Sequence, residues 1–139
     1  PTSDIYRKPK DLLSAQVFSD PPINSASVVK RGKSLTLFDG VKWPAGRFEK
    51  LLPDGDYIVG VRPHHISPNA KEGASGPVQG SVLVTELSGS ESILHMNVGG
   101  ATWVSQSHGI HPFNVGDTAR LHVEVDRAMI FKPSGEFIA

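Results

Sequence analysis

The spacing of turn-forming residues constrains this chain more than any other feature. From Ile23 onward, short apolar runs are broken by Gly32, Asp39-Gly40, Pro44-Ala45-Gly46, Pro53-Asp54-Gly55-Asp56, Ser88-Gly89-Ser90-Glu91, Gly99-Gly100 and Pro133-Ser134-Gly135. Glycine accepts positive φ, proline presets its own φ, and Asp and Ser side chains bond the neighbouring backbone, so each cluster reverses the chain for a physical reason. Between the clusters lie about nine strand-length segments at roughly 8–12-residue spacing, the signature of a β-sandwich or small barrel. Residues 93–98 show the period clearly, with Leu94, Met96 and Val98 on one face and Ile93, His95 and Asn97 on the other. No internal repeat is visible. The expected fold class is all-β.

The organising segment is Tyr57-Ile-Val-Gly-Val-Arg62-Pro63-His64-His65-Ile66. Pro63 has no N–H and biases Arg62 toward extended geometry, so strand pairing should stop or kink here, at an edge or a bulge. Other strands are expected over Ala26–Val29, Leu35–Phe38, Val41–Trp43, Val82–Leu87, Ala101–Val104 and Leu121–Val125, with Ile130-Phe131 and Phe137-Ile138 closing the chain. Lys30-Arg31-Gly32-Lys33 reads as a solvated hairpin end. Ser67–Pro77, rich in Gly, Pro and Ser, and Ser105–Gly116 read as loops.

Residues 1–22 differ. Thr2 or Ser3 can cap a short helix that Pro9 ends, Lys10–Phe18 can form another, and Asp20-Pro21-Pro22 is a rigid extended link. These read as a tail from an upstream domain, followed by a β domain over 23–139. The chain opens on Pro1 rather than Met, and we expect it to be a piece of something larger.

Composition narrows the function. Without cysteine there is no thiol nucleophile, disulfide or Cys-based zinc site. Fourteen basic and fourteen acidic residues cancel, whereas a nucleic-acid partner normally requires a basic excess. No apolar run is long enough to cross a bilayer as a helix.

Four constellations could carry chemistry. His64-His65 and His108-x-x-His111 could ligate a metal, but adjacent histidines in a strand point to opposite faces, so loop histidines beside prolines are the simpler reading. Ser88-Gly89-Ser90-Glu91 has the letters of a serine hydrolase without the strand–turn–helix elbow, and a hairpin turn accounts for it better. No phosphate-binding G-x-x-x-x-G-K-[ST] loop is present. Trp43 and Trp103 could stack on bases or sugars, although a core position is the default for tryptophan. No catalytic, cofactor-binding or metal residues are assigned.

An ordered set of short segments resembles a known family. Pro1-Thr2-Ser3-Asp4-Ile5-Tyr6-Arg7-Lys8-Pro9 is similar to the tail that ends the nucleotide-binding domain of importer ATPases of the maltose and glycerol-phosphate type. The apolar stretch Leu12–Phe18 and the link Asp20-Pro21-Pro22-Ile23-Asn24 follow in that family's order. Gly60-Val61-Arg62-Pro63-His64-His65-Ile66 resembles its Gly-(Val/Ile)-Arg-Pro-Glu-(His/Asp)-(Leu/Ile) segment. Glu86–Glu91 resembles its Glu-x-x-Gly-Ser-Glu hairpin, and Val115-Gly116-Asp117 with Phe131…Gly135 its closing segment. Two positions depart: His64 stands where Glu is usual, and Lys132 follows Phe131 where Asp is common, so acid-dependent contacts there are not implied for this chain.

The resemblance implies the C-terminal regulatory (TOBE-type) domain of the ATP-binding subunit of an ABC importer for sugars, polyols or glycerol phosphate, folded as an OB-like barrel. It implies a homodimer partner subunit, transmembrane permease subunits reached through the upstream ATPase domain, and a regulatory protein or small effector. ATP and Mg would belong to that upstream domain, with no cofactor here. The location implied is cytoplasmic, on the inner face of the cell membrane. Such a barrel acts only through contacts that favour one arrangement of the ATPase domains over another. We expect the contact or effector surface at Arg62, Pro63, His64 and His65, with Ser88, Gly89, Ser90 and Glu91. Rival readings are a stand-alone barrel that binds an oxyanion or sugar, and a nucleic-acid-binding barrel that zero net charge disfavours.

Overall fold

A computed structural model describes residues 23–37, 40–69, 73–109 and 113–139. The helices expected within 1–22, and Phe38, Asp39 and His111, lie outside the described residues. In order, the elements are β1 (Asn24–Arg31), β2 (Ser34–Thr36), β3 (Lys42–Pro44), α1 (Phe48–Leu51), β4 (Gly55–Val61), a 3₁₀ turn (Pro63–His65) and β5 (Ile66–Ser67). They continue with β6 (Ser75–Ser88), β7 (Glu91–Val98), β8 (Ala101–His108), β9 (Thr118–Glu124), a 3₁₀ turn (Val125–Arg127) and β10 (Met129–Phe131).

The strands form two antiparallel five-stranded sheets, β10-β4-β1-β2-β3 and β5-β9-β6-β7-β8. The second sheet curls until its outer strands meet, where the buried Ser105 hydroxyl of β8 donates to the Ile66 carbonyl of β5 at 2.7 Å. The fold is all-β and OB-like. In β7 Leu94, Met96 and Val98 are buried while Ile93 and His95 are half-buried and Asn97 exposed, so the alternation in the sequence is the alternation of the sheet.

Two side chains join the sheets. The Trp43 indole N–H of β3 donates to the Pro77 carbonyl of β6 at 2.7 Å, and its ring lies edge-on to Trp103, centroids 6.5 Å apart. Both rings are fully buried, which is the core role rather than a stacking platform. Gly76 makes this approach possible, because a Cβ there would fall on the Trp43 ring. Elsewhere the buried Asn24 amide donates to the Val104 carbonyl at 2.8 Å and accepts from the Val104 N–H at 2.7 Å. A side chain on β1 thus bonds a backbone site on β8 as a neighbouring strand would.

Several expectations need correction. β4 is no edge: it lies between β10 and β1, and Pro63 ends it by opening a 3₁₀ turn, where a missing N–H costs nothing. Ser75-Gly76-Pro77, expected in a loop, begins β6 opposite Glu124, Val123 and His122, so glycine and proline there serve close packing on Trp43 rather than a turn. β8 runs to His108, past the expected end at Val104, because each of residues 105–108 still pairs with β7. Lys30 is buried, not solvated: its ammonium lies 3.2 Å from Asp54, whose carboxylate also accepts the Gly32 N–H at 2.9 Å. The helix α1 was not foreseen. It is anchored by Arg47, which bonds the Asp126 and Ala128 carbonyls at 2.7 and 3.0 Å while its backbone N–H donates to the Asp126 carboxylate at 2.8 Å.

Replacing Asn24 by Ala leaves both Val104 backbone groups without their partner in a closed interface, so Asn24→Ala should cost about 1–3 kcal/mol in urea unfolding. Gly76→Ala should cost a similar ~1–3 kcal/mol by overpacking the Trp43 ring. An unchanged urea midpoint for either variant would remove its assigned role.

Candidate functional site

The Arg62–His65 segment and the Ser88–Glu91 hairpin, far apart in sequence, come together at one end of the barrel. Pro63 starts the 3₁₀ turn and is buried, with Arg62 buried behind it, His64 exposed and His65 half-buried. The turn, not a strand, sets the histidines: their rings make a tilted contact, centroids 4.2 Å apart and 55° between planes. The reading of opposite faces is therefore wrong, because a tight turn brings consecutive side chains to one side. The hairpin is a two-residue turn, Gly89-Ser90, with Gly89 at φ 63° and Ser88 opposite Glu91. The Ser90 carbonyl accepts the Gly109 N–H at 2.6 Å, the Ser92 hydroxyl donates to the Gly109 carbonyl at 2.7 Å, and Gln106 Nε2 donates to Glu91 at 2.8 Å. The tip is thereby fixed to the end of β8.

His64 and Glu91 line one cleft of ≈ 260 Å³ with Ser67, Asn69, Gln106 and His108. Of the expected residues, His64 and Glu91 line it; Arg62, Pro63, His65, Gly89 and Ser90 are not among its lining residues. Asn69, Gln106 and Ser107 were missed, since loop and strand residues without charge or repeat carry no signal in one sequence. A second hollow of ≈ 210 Å³ lies nearby, lined chiefly by Leu87, Ile93, Leu94, Phe113 and Leu121. Among the described residues no group of three or more His, Asp or Glu is placed to hold a metal, and His111 of the second candidate pair is not among them.

Burial, and then the positive charge of Arg62, lowers the His64 pKa; Glu124 and Glu91 oppose them. The His65 imidazole is driven lower, to about 4, first by burial and then by His64, Arg127 and Arg62. Its Nδ1 is buried and has no hydrogen-bond partner among the described residues. Both rings therefore favour the neutral form at neutral pH.

With this geometry in place, comparison with known proteins identifies the family. Residues 59–131, just over half the chain, match the TOBE domain. The chain belongs to the TOBE domain family. Among its relatives, the sulfoquinovosyl glycerol transport ATP-binding protein SmoE of Agrobacterium fabrum is 30% identical over 102 residues, covering 70% of this chain and 28% of SmoE. The sn-glycerol-3-phosphate import ATP-binding protein UgpC of Pectobacterium atrosepticum is 28% identical over 137 residues, covering 93% of this chain and 36% of UgpC. This TOBE chain thus spans about a third of the length of the curated relatives it matches. In fold it is similar to the cytoplasmic molybdate-binding protein ModG, with a TM-score of 0.56 at 16% identity, covering 79% of this chain and 96% of that one.

The depressed histidine gives a pH signature. The unfolded ring takes a proton near its ordinary pKa of about 6.5, while the folded ring does so only near 4. Stability is therefore full above about pH 6.5 and falls as the pH drops toward 4. Allowing for the ring's partial exposure, we expect a loss of about 1–2 kcal/mol over that window. Urea midpoints of the wild type and His65→Gln at pH 7 and 5 should diverge, the variant showing the shallower decline; parallel declines would contradict the assignment. Asp54, lowered chiefly by the Gly32 N–H and then by Lys30, loses its contribution as the pH falls from about 5 through its ordinary value of 3.8, so the comparison of pH 7 with pH 5 reads mainly the histidine.

Proposed function

We propose that this chain is the regulatory end of the ATP-binding subunit of an ABC importer for a sugar, polyol or glycerol phosphate. The observation that carries this reading is the TOBE match within relatives named as transport and import ATP-binding proteins, of which the chain covers only about a third. Residues 1–22 are then a tail from the nucleotide-binding domain and 23–139 the regulatory barrel. ATP and Mg bind in that upstream domain, which also meets the transmembrane permease subunits at the cytoplasmic face of the membrane. The barrel performs no chemistry. It holds a second copy of itself in the partner subunit, and its Arg62–His65 and Ser88–Glu91 end receives a regulatory protein or small effector.

An edge of β6 supports the self-pairing. β9 pairs with β6 from Ser75 to Ser81, and among the described strands β6 continues to Ser88 paired with β7 alone. On that overhang Leu83, Val84 and Leu87 are 43%, 47% and 66% exposed. Lysine and proline, which guard natural sheet edges, are absent from residues 83–88, and the one charge, Glu86, bonds His95 at 3.1 Å. Zero net charge gives two copies no reason to repel.

Light scattering on the 139-residue chain should show a dimer at high concentration. Burying Leu87 is worth about 1.5–3 kcal/mol, so Leu87→Lys should weaken pairing by about tenfold or more. A wild-type chain that stays monomeric at millimolar concentration would end the self-pairing claim.

A further inference from the structure

Among the described residues, the lining of the cleft between the Pro63–His65 turn and the ends of β7 and β8 is polar and contains no Lys or Arg. The carboxylate among its described lining residues, Glu91, accepts a hydrogen bond at one oxygen from Gln106. The Ser67 hydroxyl is occupied by the Asn69 carbonyl at 2.8 Å, whereas the Asn69 side-chain amide and the Ser107 hydroxyl have no partner among the described residues. His64 adds an imidazole, held in place by its tilted contact with His65.

These groups discriminate among ligands. A phosphate or other oxyanion entering here would shed water without meeting a cation among the described lining residues, and would face the Glu91 carboxylate. An apolar ligand would strand the amide, the hydroxyl and the carboxylate. A hydroxyl group both donates and accepts: it can donate to Glu91 or the Asn69 carbonyl oxygen, and accept from the Asn69 amide, Ser107 or a ring N–H. Several hydroxyls on adjacent carbons would engage several of these groups together. The volume of ≈ 260 Å³ falls just below the usual range for drug-sized ligands and suits a monosaccharide or a smaller molecule.

We propose that this cleft binds a neutral polyhydroxylated molecule, a monosaccharide or short polyol, through Asn69, Glu91, Ser107 and His64. The proposal rests on the reading of this end of the barrel as an effector surface, and gives that effector its chemical class. It also separates the chain from oxyanion binding, despite the shared fold with ModG.

The test is an NMR titration of the ¹⁵N-labelled chain with glucose, glycerol and, separately, inorganic phosphate. Glucose or glycerol should shift the amides of Ser67, Asn69, Glu91 and Ser107 in the millimolar range, and phosphate should leave them unmoved. Asn69→Ala changes an exposed residue and should weaken the response about tenfold without altering the rest of the spectrum. Glu91→Gln should weaken it comparably, and Lys132→Ala, on a distant turn, should leave it intact. The proposal is overturned if neither polyol acts at up to about 100 mM, if phosphate shifts these amides instead, or if Asn69→Ala and Glu91→Gln respond like the wild type. Light scattering reads self-pairing separately, so a monomer that binds glucose sinks only the pairing, and a dimer that ignores both polyols sinks only the cleft.

Discussion

The packing of Trp43 over Gly76 is the contact on which the rest of this structure depends. Each sheet is small, and a lone sheet of this size exposes one apolar face to water. Trp43 brings the largest side chain of the first sheet against the backbone of the second, and its N–H is satisfied by Pro77, so burial leaves no polar group stranded. Asn24 repeats the device in polar form on β8. With the sheets locked, Asp126 can reach the entry of α1 through Arg47 and tie the Val125–Arg127 turn to it.

That frame positions the barrel end at which His64 and Glu91 meet. Neither the 3₁₀ turn nor the hairpin is rigid by its own chemistry. The turn is fixed because Pro63 opens it and β5 follows at once, and the hairpin because Ser90 and Ser92 hold the Gly109 peptide. The outcome is a polar cleft built on regular elements, in which Glu91, His64, Asn69 and Ser107 stand together. An overhanging β6 lies beside it, so an effector and a second copy would meet neighbouring parts of one barrel end.

Much of the strand plan was legible. The hairpins at Gly32, Gly89-Ser90 and Gly99-Gly100 fall where the turn residues stand, because a tight reversal needs positive φ and only a few residues supply it cheaply. The alternation in Ile93–Val98 gave the buried face directly. The failures share one cause. Gly76 and Pro77 look like loop residues but lie in a strand, since a bulky ring on another sheet needs the space that glycine leaves. Lys30 looks solvated but is buried, since Asp54 arrives from a separate turn.

Local backbone preference and residue order were enough for the all-β character, most turn positions and the order of motifs that marks the TOBE family. Three-dimensional packing was needed to set which strands are edges, to bring the two histidines to one side of a turn, and to gather Asn69, Glu91 and Ser107 around one cleft. Those facts depend on the curl of the second sheet. It draws β5 to β8, a closure made by contacts between residues distant in the chain that no local pattern encodes.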